Sequence, residues 1–404
     1  MIYLASFSVF TAVIIILVVF LLLLEARVAP RGNARIVIND DPDRVIETRL
    51  GATLLSALSD NAVFLPSACG GGGACGQCRC RVDAGGGDVQ PTELNHLTRQ
   101  ERLDNIRLAC QLKVREDMRI HVPPSIFSIK KYNGTVVSNR NVATFIKELV
   151  VELDNGQTVA FQAGQYMQID IPEFDVCFTS FDVADRFLTA WDRFHLRDFC
   201  AGTDEPVYRA YSLANPPYEK LLRFTVRIAT PPPGTKNIPP GVGSSYVFNL
   251  KPGDRVILSG PYGDFLAQDS EREMCFVGGG AGMAPMRSHI LHQLNTAHTR
   301  RKITFWYGAR SWQEVFYDDE FRGLAERFDN FSYHLALSEP QPEDNWQGLT
   351  GFIHACLYEA YLKDHDDPAE IEYYLCGPPP MIAALEKMLD DLGVEPDMIA
   401  YDKF

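Results

Sequence analysis

Basic residues are in short supply in this chain: 38 Lys and Arg stand against 52 Asp and Glu, a net charge of −14 over 404 residues. A surface so acidic repels phosphate backbones, which argues against nucleic acid as a partner. Cysteine is thin as well. Ten residues, clustered rather than spread, are too few for a disulfide scaffold and fit thiolate ligation in a reducing compartment. No internal repeat is present, and no Lys or Arg precedes the apolar stretch at the amino terminus, so the basic n-region of a cleavable signal peptide is missing. What remains is ordinary for folded protein, 46% hydrophobic and 22% charged, with room for roughly two to four domains.

Four of the cysteines carry the strongest signal. Cys69, Cys75 and Cys78 stand in the glycine-rich stretch ACGGGGACGQCRCRV, and Cys110 follows in RLACQ. Three thiolates in one loop and a fourth from a later segment are the ligand set of a [2Fe–2S] cluster. Gly70 to Gly73 and Gly76 let the backbone wrap such a cluster and turn N–H groups toward its sulfurs. The spacing C-x5-C-x2-C is one residue longer in its first gap than the plant-type ferredoxin pattern. A zinc knuckle is the competing reading; it would pair two short hairpins, whereas Cys110 stands apart with only His96 and His121 nearby. Cys80 lies outside the pattern and reads as a buried thiol.

From Ile2 to Leu24 the chain is almost wholly apolar, long enough to cross a bilayer as one helix. Arg27, Arg31 and Arg35 follow it, so the positive-inside rule places the bulk of the chain in the cytoplasm. The expectation is a transmembrane helix over 1–26, retained as a single-pass anchor.

Beyond the anchor the pattern changes twice. Residues 34–126 read as a hairpin turning at Asp40 to Asp43, a helix with Leu54, Leu55 and Leu58 on one face, then the cysteine loop. Residues 127–267 read as strands separated by turns, an antiparallel β-barrel. Residues 268–404 alternate apolar strands with helices, an α/β domain with a parallel sheet. Between Pro172 and Pro206 lies an aromatic insertion whose Phe174, Phe178, Phe181, Phe187, Trp191, Phe194 and Phe199 either fill the barrel's flank or form an exposed docking patch.

Arg209-Ala-Tyr-Ser-Leu-Ala-Asn215 closely resembles the R-x-Y-S flavin motif of the ferredoxin-reductase family. Arg209 supplies a planar cation for pyrophosphate, Tyr211 a ring face for the isoalloxazine, and Ser212 a small hydroxyl near its reactive edge; Asn215 closes the motif. Gly241, Gly243, Ser244 and Ser245 read as a glycine turn entering a short helix whose first N–H groups bind phosphate. FAD rather than FMN rests on the resemblance alone. For nicotinamide, Gly278, Gly279, Gly280 and Gly282 form a turn from strand to helix, and Cys376, Gly377, Pro378 and Met381 belong to a C-G-P-P-x-M segment at the end of an apolar strand, where open α/β sheets bind ligands. In the resembling reductases that segment borders the nicotinamide. Cys376 is then a positioning contact beside the hydride path, or else a buried structural thiol. The resemblance implies that a terminal aromatic, Phe404, covers the flavin. Arg310 is a candidate contact to the adenosine ribose or phosphate of NADH and leaves NADPH open.

The β-grasp segment over 34–126 is similar to plant-type ferredoxins. The combination of ferredoxin domain, flavin barrel and nicotinamide domain resembles the oxygenase reductases. The membrane span and the aromatic insertion narrow the resemblance to the F subunits of sodium-translocating NADH:quinone reductases. It implies an NADH-oxidising component carrying FAD and a [2Fe–2S] cluster in a bacterial inner-membrane complex, with the other subunits as partners, ubiquinone as terminal acceptor and sodium export as output. The alternatives are the reductase of a multicomponent oxygenase, and a membrane-anchored iron–sulfur carrier or redox sensor.

Overall fold

The computed structural model describes residues 7, 10–20, 32–232, 235 and 238–402. Residues 10–20 are helical and exposed. Among the described residues no helix is long and apolar enough to cross a membrane. The expected span over 1–26 is therefore not seen as such, much of it lying outside the described residues; Phe404 lies outside them too.

The chain divides into two units, residues 1–67 with 71–128, and 68–70 with 129–404. In the first, the expected hairpin forms with Val37 opposite Val45. It joins a five-stranded sheet in the order Val45–Arg49, Asn33–Ile38, Met118–His121, Arg79–Ala84, Ile106–Leu108. Only the pairing of Asn33–Ile38 with Met118–His121 is parallel. The helix Leu54–Asp60 begins where Thr53 accepts a hydrogen bond from the Ser56 amide, and it buries Leu54, Leu55, Ala57 and Leu58.

A buried ion pair organises the segment that carries Cys110. Arg107 is 4% exposed and Glu93 fully buried, with Arg107 Nη2 donating to Glu93 Oε2 at 2.7 Å. The guanidinium also donates to the carbonyls of Gly86, Gly87 and Asp88, while Glu93 accepts from the amides of Leu108 and Gln90. Burial alone would raise the Glu93 pKa; the Arg107 fork and the two amides outweigh it and hold the carboxyl below its usual value.

In the second unit six antiparallel strands run in the order Val207–Ser212, Tyr166–Ile171, Arg255–Tyr262, Lys130–Ala143, Ile146–Leu153, Leu222–Arg227. A bridge between Leu213 and Phe224 links first to last and closes a barrel around Leu149, Val151, Ile169, Phe224 and Leu258. A six-stranded parallel sheet follows, ordered Leu349–Thr350, Phe331–Leu337, Ile303–Ala309, Met274–Gly279, Glu372–Cys376, Ile399–Asp402. Its two central strands, Met274–Gly279 and Glu372–Cys376, are buried at every residue, as strands covered on both faces must be. Strand order reverses between these two, which makes their carboxyl ends the crevice where such sheets bind ligands.

The insertion folds onto the barrel. A ribbon of Phe174–Cys177 and Cys200–Thr203 frames it, closed by a Cys177–Cys200 disulfide, and the helix Asp185–Arg193 lies within. Phe178, Phe181, Phe187 and Trp191 are buried in one cluster with Phe145, Ile228 and Phe248, and Trp191 Nε1 donates to the Thr144 carbonyl at 2.7 Å. Those four aromatics are core. Phe174 and Phe199 are partly buried against them, and Phe194 is 43% exposed.

Removing one partner of a buried pair leaves the other charge uncompensated, at a cost of about 3–5 kcal/mol. An Arg107→Met protein is expected to lose its visible iron–sulfur absorbance at lower denaturant than the parent. Because the Glu93 pKa is depressed, this pair stabilises above the unfolded carboxylate pKa and fades as pH falls through the folded value, so the gap between variant and parent narrows in acid. Denaturant titrations followed in the visible band at neutral and acidic pH read both effects.

Candidate functional site

In the first unit the cysteine loop places three of the four expected ligands near one another. The Cys110 amide donates to Cys78 Sγ at 3.5 Å, the two thiols hydrogen-bond, and Cys75 lies close enough to act on Cys78 electrostatically. Gln111 Nε2 donates to Cys110 Sγ at 3.4 Å while its oxygen accepts from Thr92 Oγ1 at 2.9 Å, an outer contact of the kind that tunes a cluster. Cys69 is half-buried. Gly70, Gly71, Gly73 and Gly76 take positive φ as expected; Gly72 is not among the positive-φ residues. Among the described residues no three His, Cys, Asp or Glu side chains gather as they do round a single ion. A two-iron cluster does not require that, since each iron takes two thiolates. The donor set fits it. Cys80, outside the C-x5-C-x2-C pattern, is buried, which pushes its thiol up to about 12.

The second unit brings the remaining motifs together around a cavity of about 550 Å³. Tyr211 and Ser212 line it from the barrel, Gly279, Gly280 and Gly282 from the parallel sheet, Gly377 and Pro378 from the strand beside it. The volume lies in the ordinary range for a cofactor site. The helix Val242–Asn249 starts at Gly241 as its sequence implies. A Cβ on Gly243 would stand 2.6 Å from the Arg209 stem and 2.7 Å from the Tyr211 hydroxyl, so only glycine lets the helix meet the R-x-Y-S strand this closely. Ser245 Oγ is buried without a hydrogen-bond partner, as a cradle for a bound phosphate would leave it. Ser244 is otherwise engaged: its hydroxyl donates to the Gly241 carbonyl and accepts from the Ala229 amide, both at 3.0 Å. Asn215 also serves the fold, accepting from the Arg223 amide at 2.8 Å and donating to the Pro216 carbonyl. These residues fit a flavin, with Ser244 and Asn215 holding the walls.

The strand Met274–Gly279 feeds a turn, Gly280–Gly282, into the helix Met283–Asn295. At Gly282 a Cβ would lie 2.1 Å from the Cys376 carbonyl, so side-chain absence is what lets the turn lie against the neighbouring strand end. Met381 packs over Gly279 and Gly377. Cys376 is fully buried in the sheet core, and burial, with Asp402 second, holds its thiol well above its usual pKa. It immediately precedes Gly377, which lines the cavity.

Asp402 is the residue that sequence reasoning missed. It sits opposite Cys376 in the parallel register, and its carboxylate accepts from Ser212 Oγ at 2.5 Å. Burial pushes it up to about 6, against the pull of the Ser212 hydroxyl. Nothing local in the segment YDKF marks an Asp on an edge strand as a partner for a serine 190 positions earlier.

Models of two families match the chain: the 2Fe-2S iron-sulfur cluster binding domain over residues 37–115, and the oxidoreductase NAD-binding domain over 276–387. The F subunit of the Na(+)-translocating NADH-quinone reductase of Idiomarina loihiensis is 52% identical over 396 residues, covering 98% of this chain and 97% of that one. Its namesakes from Klebsiella pneumoniae and Neisseria gonorrhoeae are 51% and 49% identical with the same coverage. The chain belongs to the F subunits of the Na(+)-translocating NADH-quinone reductases. Among solved structures, the Amycolatopsis cytochrome P450 reductase GcoB aligns over 92% of this chain and 98% of its own with a TM-score of 0.64 at 24% identity, a likeness of fold. A ferredoxin reductase of carbazole 1,9a-dioxygenase aligns with the same coverage at a TM-score of 0.60 and 25% identity.

A buried carboxyl whose pKa is raised binds its proton more tightly when folded, so stability falls as pH rises from the unfolded value through about 6. Asp402→Asn keeps the shape and removes the ionisation. The variant without bound flavin is expected to be more stable than its parent well above pH 6 by about 3 kcal/mol, with the advantage gone below about pH 4. Thermal melts across that range check it.

Proposed function

We propose that this chain is the NADH-oxidising input of a sodium-translocating quinone reductase, taking a hydride from NADH in the cavity between Tyr211–Ser212 and Gly279–Gly282 and passing electrons outward by way of its cysteine loop. The observation that carries this reading is the cavity itself: the flavin motif and both nicotinamide motifs, separate in sequence, line one space at the reversal of strand order. Bound flavin supplies a two-electron acceptor that releases electrons singly, and a bound [2Fe–2S] cluster supplies one-electron carriage.

The chain's own residues position and exclude. Arg209 and the first turn of Val242–Asn249 offer cation and N–H donors to a pyrophosphate. Tyr211 offers a ring face from the half-buried wall, and burial keeps its phenol protonated. The turn Gly280–Gly282 brings backbone N–H groups to the nicotinamide dinucleotide, while Met381 and the buried Cys376 close the wall behind it. Ser212 lines the cavity, and its hydroxyl donates a hydrogen bond to the Asp402 carboxylate. No general acid or base is needed for the hydride itself. Cys69, Cys75, Cys78 and Cys110 would hold the cluster, with Gln111 donating to a ligand sulfur.

The domain limits 34–126, 127–267 and 268–404 fit this division of labour. The apolar stretch from Ile2 to Leu24, followed by Arg27, Arg31 and Arg35, supports a single-pass anchor in a bacterial inner membrane with the catalytic domains on the cytoplasmic side. The partners are then the other subunits of the complex, with ubiquinone as final acceptor reached through them and sodium transport as the coupled output.

Membranes carrying a Cys75→Ala chain are expected to keep flavin and NADH oxidation by ferricyanide while losing the cluster's EPR signal and quinone reduction. Loss of NADH-dependent flavin bleaching in the same variant would overturn the proposed order.

A further inference from the structure

A second cavity, of about 480 Å³, adjoins the first and shares Arg227, Ile228 and Thr230 with it. Its floor is Phe145, and two guanidinium groups converge on that ring: Arg227 Cζ lies 6.0 Å from the centroid and Arg310 Cζ 5.7 Å. The insertion supplies further lining. Phe194 meets Phe145 edge to face with centroids 5.7 Å apart, and Arg193 and His195 stand on either side of it in sequence. Two carboxylates temper the charge, Glu314 at 3.5 Å from Arg310 and Asp198 at 3.7 Å from His195. Arg193 and Arg227 have no carboxylate within ion-pair distance among the described residues. In a chain of net charge −14, a cavity lined by three arginines and by exposed and buried aromatic rings is built for an anion that carries a flat ring.

We propose that this cavity takes the adenosine diphosphate half of NADH, and that the insertion, through Arg193 and Phe194, is a specificity element for the dinucleotide. This rests on the hydride-transfer reading above. Arg310 follows the carboxyl end of Ile303–Ala309, the strand beside Met274–Gly279, so a dinucleotide anchored at Gly280–Gly282 and lying across the sheet's carboxyl edge runs toward it. The cavity's position next to the nicotinamide wall, sharing Arg227, makes the two spaces one path. Phe194, the aromatic the insertion leaves most exposed, is then the residue with a ligand to cover, and the buried cluster beneath it is the scaffold that holds it there.

The test compares two hydride donors on the full chain: NADH, and reduced nicotinamide mononucleotide, which lacks the adenosine phosphate. In an Arg193→Ala/Phe194→Ala protein the ratio of kcat/KM for NADH to that for the mononucleotide is expected to fall about tenfold, the loss lying in KM. Flavin content stays at the parental level, and Arg193→Lys recovers part of the ratio. An unchanged ratio overturns the proposal, as does an equal fall for both donors, which would report a merely structural role. Loss of flavin assigns the cavity to the adenosine end of FAD and likewise overturns it. A parent protein whose flavin bleaches with neither donor overturns the hydride reading itself, a failure distinct from all of these.

Discussion

One buried guanidinium holds the catalytic half of the chain in register. Arg287 lies on the helix that starts at the glycine turn, is 6% exposed, and donates through Nη1 to the Ala214 carbonyl at 2.8 Å, two residues beyond Ser212. Its other nitrogens reach Glu320 at 2.7 and 2.8 Å and Glu219 at 3.3 Å. Ser288 donates to the Asn215 carbonyl at 2.8 Å and Thr225 to the Ala281 carbonyl at 3.1 Å. The barrel strand that carries the flavin motif and the turn that carries the nicotinamide motif are thus stitched at both ends. A buried cation with carboxylates on one side and a carbonyl on the other tolerates little displacement, because any shift strands a charge. The cavity's shape follows from that constraint.

The same logic appears on a smaller scale in the first unit. Arg107 satisfies three carbonyls and Glu93, and Glu93 in turn fixes the amide of Leu108, two residues before Cys110. The ligand that arrives alone from a later segment is the one that needs a separate anchor. The other three share a loop whose glycines set its path.

Much of this was legible in the residues. The hairpin near Asp40, the Leu54, Leu55 and Leu58 face, the glycine turns at 241 and 280 and the alternation of strands with helices after 268 are local patterns, and local patterns survive in sequence. What was illegible is tertiary. Asp402 gains its role from a parallel pairing with Glu372–Cys376 that no short window encodes. Ser244 and Asn215 looked like cofactor donors by type, but their hydrogen bonds are spent on neighbouring backbone. The Cys177–Cys200 bridge depends on two strands of the insertion lying side by side, and seven aromatics at similar spacing gave no sign that Phe194 would differ from Trp191. Composition named the insertion; only packing sorted its residues.

The flavin and nicotinamide motifs form one cavity because Arg287 clamps them together. Rapid mixing of NADH with an Arg287→Lys protein tests it most directly, since lysine keeps the charge but cannot fork between Ala214 and Glu320. Flavin content is expected to stay parental while flavin reduction at saturating NADH slows at least tenfold, by roughly the loss of a charge-assisted hydrogen bond. Reduction at the parental rate would contradict it.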